Sequence, residues 1–224
     1  MNTPPGTKLF DGTLFPAHEV HMIEWMKQRN ERVNGQLTYQ YHKLQAAMKL
    51  VKRFRVAIDV GGHIGMWSRH LVGRFEHVFA FEPVDLHRQC FEHNVDMAKC
   101  TLMPYALGEE DDKVVFMRSE EGSSGNTTVA ESGKDPVPMG RMDSLVTGWN
   151  VDFIKLDCEG YELYALRGGE ELLRACHPTV IVEQKPGKAQ AFALGERDAV
   201  AYLKSLGAKV RHEIAGDFIV SWDD

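Results

Sequence analysis

Two acids two residues apart, Asp157 and Glu159 in "IKLDCEGYE", and a third, Glu183, closing "PTVIVE", have the types and placement that suit chemistry. Each follows a short β-rich run, and in open α/β sheets ligands bind outside the carboxyl ends of the strands. Three roles are open to such a group. A carboxylate can act as general base toward a substrate hydroxyl, an effect worth about 10² to 10⁴ in rate. The three can hold a divalent metal through oxygen, the less favoured reading. Glu159 can instead accept amide hydrogen bonds at the start of the helix that follows. Asp157 is expected to touch cofactor or substrate directly. Lys155 shares its face of the strand and is placed to pair with one of the acids.

A second group lies earlier, where "AIDVGGHIGMW" (57–67) runs an apolar stretch into Asp59 and then Gly61, Gly62, His63 and Gly65. Glycine at a strand-to-helix turn supplies unusual backbone angles and lets the chain pass close to a ligand while helix amides point at it. The spacing does not match the Gly-x-Gly-x-x-Gly fingerprint of dinucleotide binding, which argues against a nicotinamide-dependent oxidoreductase. The next β-rich run ends in "FAFEP", putting Glu82 and Pro83 at the sheet edge, 21 residues after Gly61. A carboxylate there can accept both hydroxyls of a ribose. An adenosine-containing cofactor follows, and S-adenosylmethionine fits better than NAD. Its methionine tail suits a turn next to Asp59, whereas that acid would repel a pyrophosphate. The glycines are expected to give room to the methionine end, Asp59 to meet its ammonium, and His63 to stay neutral and hydrogen-bonded near the cofactor.

These groups need a scaffold. From residue 55 short β-rich runs alternate with helical periods, the pattern of a parallel sheet with helical crossovers. Strands are expected at 55–60, 77–82, 100–106, 152–157 and 178–183, with helices near 64–73, 85–98, 160–175 and 196–206. "DKVVFMR" and "PVPMGRM" suggest an extra strand pair around the polar loop 119–135. "AKVRHEI" and "DFIVSW", joined by Ala-Gly, read as a terminal hairpin, so one strand must run antiparallel. That favours a methyltransferase-like sheet over a dehydrogenase-like one. Upstream, helices are expected at 17–31, opened by Pro16, and at 38–52, separated by "NGQ". The expected division is an N-terminal helical extension or lid, 1–53, before a catalytic domain, 54–224. Tyr39 and His42 are candidates to cover the methionine end of the cofactor. Ser123, Ser124, Asn126 and Thr127 of the polar loop are candidates to bind a polyhydroxylated substrate.

Taken in order, "IDVGGHIG", "FEP", "ALG" (106–108), "RMDSL", "DFIKLDCEGYELYALRGG" and "PTVIVE" resemble the FkbM family of S-adenosylmethionine-dependent methyltransferases. The likeness spans roughly residues 55 to 185. It implies a Rossmann-like class I methyltransferase fold, α/β, with a doubly wound, mostly parallel seven-stranded sheet. It also implies methyl transfer, commonly onto oxygen, and it adds Ala106 and Leu107 to the cofactor contacts. The family often carries "GANIG" where this chain has "GGHIG", so His63 stands in place of Asn.

Composition sets the outer bounds. With 224 residues and 43% hydrophobic content the chain can bury one substantial core. Its net charge of −6 disfavours nucleic acid as a partner. Residues 1–54 carry eight Lys/Arg against four Asp/Glu, a basic segment that could attract an anionic substrate. No apolar run is long enough to span a bilayer and no secretory pattern opens the chain, so no membrane contact and a cytoplasmic location are expected. Cys90, Cys100, Cys158 and Cys176 lack metal or disulfide spacing. The expected partner is a small molecule, a sugar or natural product bearing a hydroxyl, polyhydroxylated or anionic.

Overall fold

A computed structural model describes residues 3–223 apart from 120–123, 135, 147 and 149. Seven strands form the main sheet: β1 (Val56–Val60), β2 (His77–Phe81), β3 (Cys100–Met103), β4 (Val151–Leu156), β5 (Thr179–Glu183), β6 (Lys209–Ile214) and β7 (Asp217–Ser221). Their order is β3-β2-β1-β4-β5-β7-β6. Only β7 runs against the rest, pairing antiparallel with both β5 and β6. This is the mostly parallel class I methyltransferase sheet with a terminal hairpin that the sequence implied. The order reverses between β1 and β4, which opens a crevice at their carboxyl ends, where the glycine turn and Asp157 sit.

The strands are buried on both faces, so their sequences read as nearly continuous apolar runs. Ala57, Phe153 and Ile181 face one core, with Leu44, Phe75 and Phe91. Ile58, Ile154, Val180 and Val182 face the other, against Leu163, Leu166 and Leu172 of the helices after β4.

Several elements differ from expectation for local reasons. The helix expected at 64–73 is confined to Ser68–Leu71, because His63 and Gly65 take left-handed angles (φ 48° and 84°) that no helix can contain. The helix expected at 160–175 is two, Glu162–Arg167 and Glu170–Cys176. Between them a Cβ on Gly168 would lie 1.9 Å from the Gly108 carbonyl oxygen, so the break is where two chains touch. The third strand ends at Met103. Ala106–Leu107 leaves the main sheet for a second, four-stranded one, ordered Thr127–Ala130, Lys113–Ser119, Pro136–Gly140, Ala106–Leu107. The polar loop thus contains a strand of its own.

The N-terminal segment holds its two helices, shortened to His21–Arg29 and Tyr41–Met48, but also two hairpins. Thr7–Phe10 pairs with Thr13–Pro16 through Asp11-Gly12, and Arg32–Val33 pairs with Gln36–Leu37 through Asn34-Gly35. All four turn residues have positive φ, the requirement of the tight turns that Asp-Gly and Asn-Gly favour. Pro16 therefore ends a strand and does not open a helix. Asn94 fastens this segment to the sheet domain: it receives the Leu14 amide at 2.8 Å and donates to the Leu14 and Ile64 carbonyls, both at 2.9 Å. All four cysteines are free thiols. Among the described residues no helix is long and apolar enough to cross a membrane.

Candidate active site

The carboxyl ends of β1, β2 and β4 open into one cavity. The glycine turn and Glu82 form its floor, and Ala106 and Leu107 form one side. Ser124, Asn126, Thr127 and Val129 of the second sheet cover it, while Glu19, Met22, Trp25 and Tyr39 close it from the N-terminal segment. Asp157, Glu159 and Lys185 stand at the end nearest β4 and β5.

The glycines do something different from the expected accommodation of a ligand. A Cβ on Gly61 (φ 73°) would fall 1.9 Å from the Asp157 carbonyl oxygen, so this glycine lets the chain after β4 cross the turn. Gly62 and Gly65 have Phe91 and Val95 where a side chain would be, at 3.1 Å for Gly62 to Phe91 and 2.4 Å for Gly65 to Val95. The Gly61 and Gly62 amides both go to the Phe81 carbonyl, at 3.0 and 2.9 Å. The glycines thus pack three elements together, and only as a consequence does bare backbone line the cavity.

Asp59 is also not where its expected role would put it. It is fully buried, accepts the Ser68 hydroxyl at 2.7 Å and lies 3.1 Å from the Lys155 ammonium, so a contact with a ligand's ammonium is replaced by an internal ion pair. Lys155 spends its other donors on the carbonyls of Gly61 (2.6 Å) and Val60 (3.2 Å). This buried pair braces the turn from beneath. Its desolvation is offset by those extra hydrogen bonds.

Glu82 is where it was expected, buried at the cavity floor beside Pro83. Its two oxygens receive the amides of His63 and Val84, each at 2.8 Å, and His87 Nδ1 lies 3.3 Å away. The carboxylate is therefore fixed in position, and with about four lone-pair sites it retains room to accept a pair of hydroxyls. His63 has φ 48°, a region in which Asn and His are both enriched among non-glycine residues, which accounts for either one after the two glycines. Burial and the neighbouring His87 and Lys155 hold its pKa well below the usual histidine range, so the ring is neutral, as expected.

At the other end Asp157, Glu159 and Glu183 come together, each offering an oxygen within 4.8 Å of the others. Burial alone would raise the Asp157 pKa, but Lys155, Lys185 and a hydrogen bond from Glu183 more than offset it and hold the group low. Burial and the Asp157 charge push Glu183 in the opposite direction, to about 9. One proton is thus shared within the pair, and Glu183 carries it. Glu183 is 4% exposed, sits behind Asp157 and is not among the lining residues, so it acts on Asp157 and not on a ligand. Glu159 meets Lys188 at 2.8 Å and the protonated Glu183 meets Lys185, so an ammonium stands beside each of these two groups where a metal would compete. The helix-start role considered for Glu159 belongs to Glu162, which accepts the Cys158 and Gly160 amides at 3.0 and 3.1 Å. Glu159, with φ 55°, pairs with Lys188 instead.

Of the other candidates, Tyr39, Ser124, Asn126 and Thr127 line the cavity. His42 does not; it is 43% exposed, 3.6 Å from Glu31. Ser123 lies outside the described residues. Sequence reasoning missed Glu19, Trp25, His87 and Lys185. Nothing in their local pattern marks them, since all four sit on helix or loop positions and only the tertiary fold brings them to the cavity.

The whole cavity carries more acid than base, Glu19, Glu82, Asp157 and Glu159 against Lys155 and Lys185, a field that favours a cationic sulfonium ligand. Its charge therefore fits S-adenosylmethionine. Among solved structures the chain resembles an FkbM methyltransferase from Methylobacillus flagellatus (TM-score 0.56, 18% identity), covering 78% of this chain and 45% of that one. A proposed O-methyltransferase from Klebsiella pneumoniae follows, with TM-score 0.54, 13% identity, and coverage of 90% and 87%. An rRNA methylase from Streptococcus thermophilus is also similar, with TM-score 0.50, 10% identity, and coverage of 82% and 95%. At these identities the likeness shows the fold alone. The present chain spans less than half the length of the Methylobacillus protein. No curated protein sequence matches the chain. The profile described as the methyltransferase FkbM domain, however, matches residues 59–210, from the buried acid of the glycine turn through to the terminal hairpin. The chain belongs to the FkbM family of S-adenosylmethionine-dependent methyltransferases.

Proposed function

We propose that this enzyme transfers a methyl group to a hydroxyl of a hydroxyl-rich small molecule such as a sugar. The observation that carries the reading is Asp157, held ionised at the inner end of the cavity by lysines and by a protonated neighbour, with Glu82 fixed at the opposite end. Glu82 would hold the ribose of S-adenosylmethionine, and the backbone of Gly61 and Gly62 its methionine portion, with Ala106 and Leu107 against the adenine. When bound, that cofactor supplies an activated methyl group.

What the chain itself must do is place an oxygen in line, about 3 Å from the methyl carbon, and take its proton. Asp157 is the proton acceptor. Glu183 hydrogen-bonds to it and fixes its orientation, and Glu159 and Lys185 flank it. The acceptor rests between this end and the Trp25–Tyr39 ring pair, whose centroids are 4.8 Å apart. Carboxylate oxygens outnumber donors on that wall, which favours a ligand rich in hydroxyl donors over an anionic one. A cytoplasmic setting agrees with four free thiols.

Isothermal titration should show S-adenosylhomocysteine binding to the native protein and Glu82→Ala losing most of it. Asp157→Asn should keep that binding within about threefold while lowering methyl transfer to a sugar panel by about 10² or more. Failure of the native protein to bind S-adenosylhomocysteine, or full activity in Asp157→Asn, overturns the reading.

A further inference from the structure

Glu19, Ser124 and His63 come from three separate parts of the chain, the N-terminal segment, the second sheet and the glycine turn, and meet in a buried chain of hydrogen bonds. Glu19 and Ser124 are each 1% exposed. One Glu19 oxygen receives the Met22 amide at 2.7 Å. The other receives the Ser124 amide at 3.0 Å and, in a short contact, the Ser124 hydroxyl. That hydroxyl also lies 2.9 Å from His63 Nε2. These bonds offset the burial of Glu19 and hold its carboxyl below the usual range, so it is ionised and can only accept.

The direction of the chain follows from counting protons. A serine hydroxyl has one hydrogen, and here it goes to Glu19. Its oxygen must then accept from His63, so Nε2 carries the hydrogen. The ring is neutral, which leaves Nδ1 as a bare lone pair. Nδ1 is buried and has no hydrogen-bond partner in the protein. A buried acceptor left unpaired costs about 1–3 kcal/mol, and a ligand that brings a donor recovers it. A donor would lie close by, because His63 and Glu82 line the same cavity and the His63 amide rests at 2.8 Å on the Glu82 carboxylate, the group that would receive a ribose.

We infer that Glu19, acting through Ser124, holds His63 as its Nε2–H tautomer so that Nδ1 accepts a hydrogen bond from one ribose hydroxyl of the cofactor, leaving the other to donate to Glu82. The ligand half of this statement rests on the proposed function; the tautomer half does not. Glu19 and Ser124 are positioning residues, and His63 is the contact. The arrangement also makes cofactor recognition depend on the N-terminal segment, which contributes nothing to the main sheet.

Long-range proton–nitrogen correlation on histidine-labelled protein reads this directly. Without ligand, the His63 ring should show a protonated Nε2 and an unprotonated Nδ1, and Glu19→Gln should let the other tautomer appear. Adding S-adenosylhomocysteine should move the Nδ1 resonance upfield as it gains a hydrogen bond. By titration, His63→Phe should weaken S-adenosylhomocysteine about tenfold, with either its 2′-deoxy or its 3′-deoxy analogue losing nothing further in that variant. His63→Asn keeps both an acceptor and tolerance of the left-handed backbone, and should retain affinity within about threefold. A protonated Nδ1 in the free native protein overturns the tautomer assignment. An unshifted Nδ1 with S-adenosylhomocysteine bound overturns the ribose contact. Absence of any binding overturns the proposed function, and the ribose contact with it, while the ligand-free spectrum still decides the tautomer.

Discussion

At the scale of single residues, the site depends on atoms that are missing as much as on those present. Gly61 is the clearest case, because both its left-handed φ of 73° and the Asp157 carbonyl 1.9 Å from any added Cβ forbid a side chain. Gly61→Ala should destabilise the protein by more than about 2 kcal/mol in urea unfolding, whereas Gly62→Ala, with only a Phe91 ring to shift at 3.1 Å, should cost less. Equal costs would mean that Gly61 is not the crossing point. Much of this was legible from residue types: Glu82 at a strand end, Asp157 and Glu159 at another, and a neutral His63 in a turn. Asp59 was misread because a sequence shows that an acid is near a turn but not which side of the turn it faces. Lys155, two residues before Asp157, is what it faces, and the pairing is set by β1 lying beside β4.

Elements supply what residues cannot, which is enclosure. The main sheet gives the floor, and the wall that would face the proposed acceptor comes from outside it, through Trp25 and Tyr39 of the N-terminal segment. Trp25→Ala should therefore raise the acceptor KM about fivefold while leaving kcat and S-adenosylhomocysteine affinity nearly unchanged. A parallel loss of cofactor affinity would place the ring over the cofactor instead. The sheet was readable because strands buried on both faces leave long apolar runs with helices between. The hairpins were not, although Asp11-Gly12 and Asn34-Gly35 mark both turns, because the flanking strands are only two to four residues long and show too little alternation. The double helix after β4 was read as one for a related reason: Gly168 and Gly169 interrupt an apolar period that continues on either side, and the contact that makes them necessary lies with Gly108 and Met142.

For the whole molecule, the acidic cluster links stability to pH. Burial raises Glu183 from an ordinary 4.5 to about 9, and Glu162 to about 7. Between pH 4.5 and those values the folded state therefore holds more protons than the unfolded chain, so stability falls as pH rises. The buried, neutral His63 and His70 act in the opposite sense below pH 6.5, so the test is a difference between proteins. On going from pH 5 to pH 8 the native protein should lose more urea resistance, or gain less, than Glu183→Gln, and equal changes in the two would show that Glu183 ionises normally. The sheet order has a different kind of consequence. Its central pair, β1 with β4, joins strands separated by the whole second sheet, so the glycine turn cannot close on Asp157 until that intervening chain has been made. During synthesis the apolar strands β1 to β3 emerge first and must wait with one edge of β1 unpaired, a state prone to association. Production of this protein should therefore be limited by chaperone capacity and growth temperature more than by the stability of the finished fold.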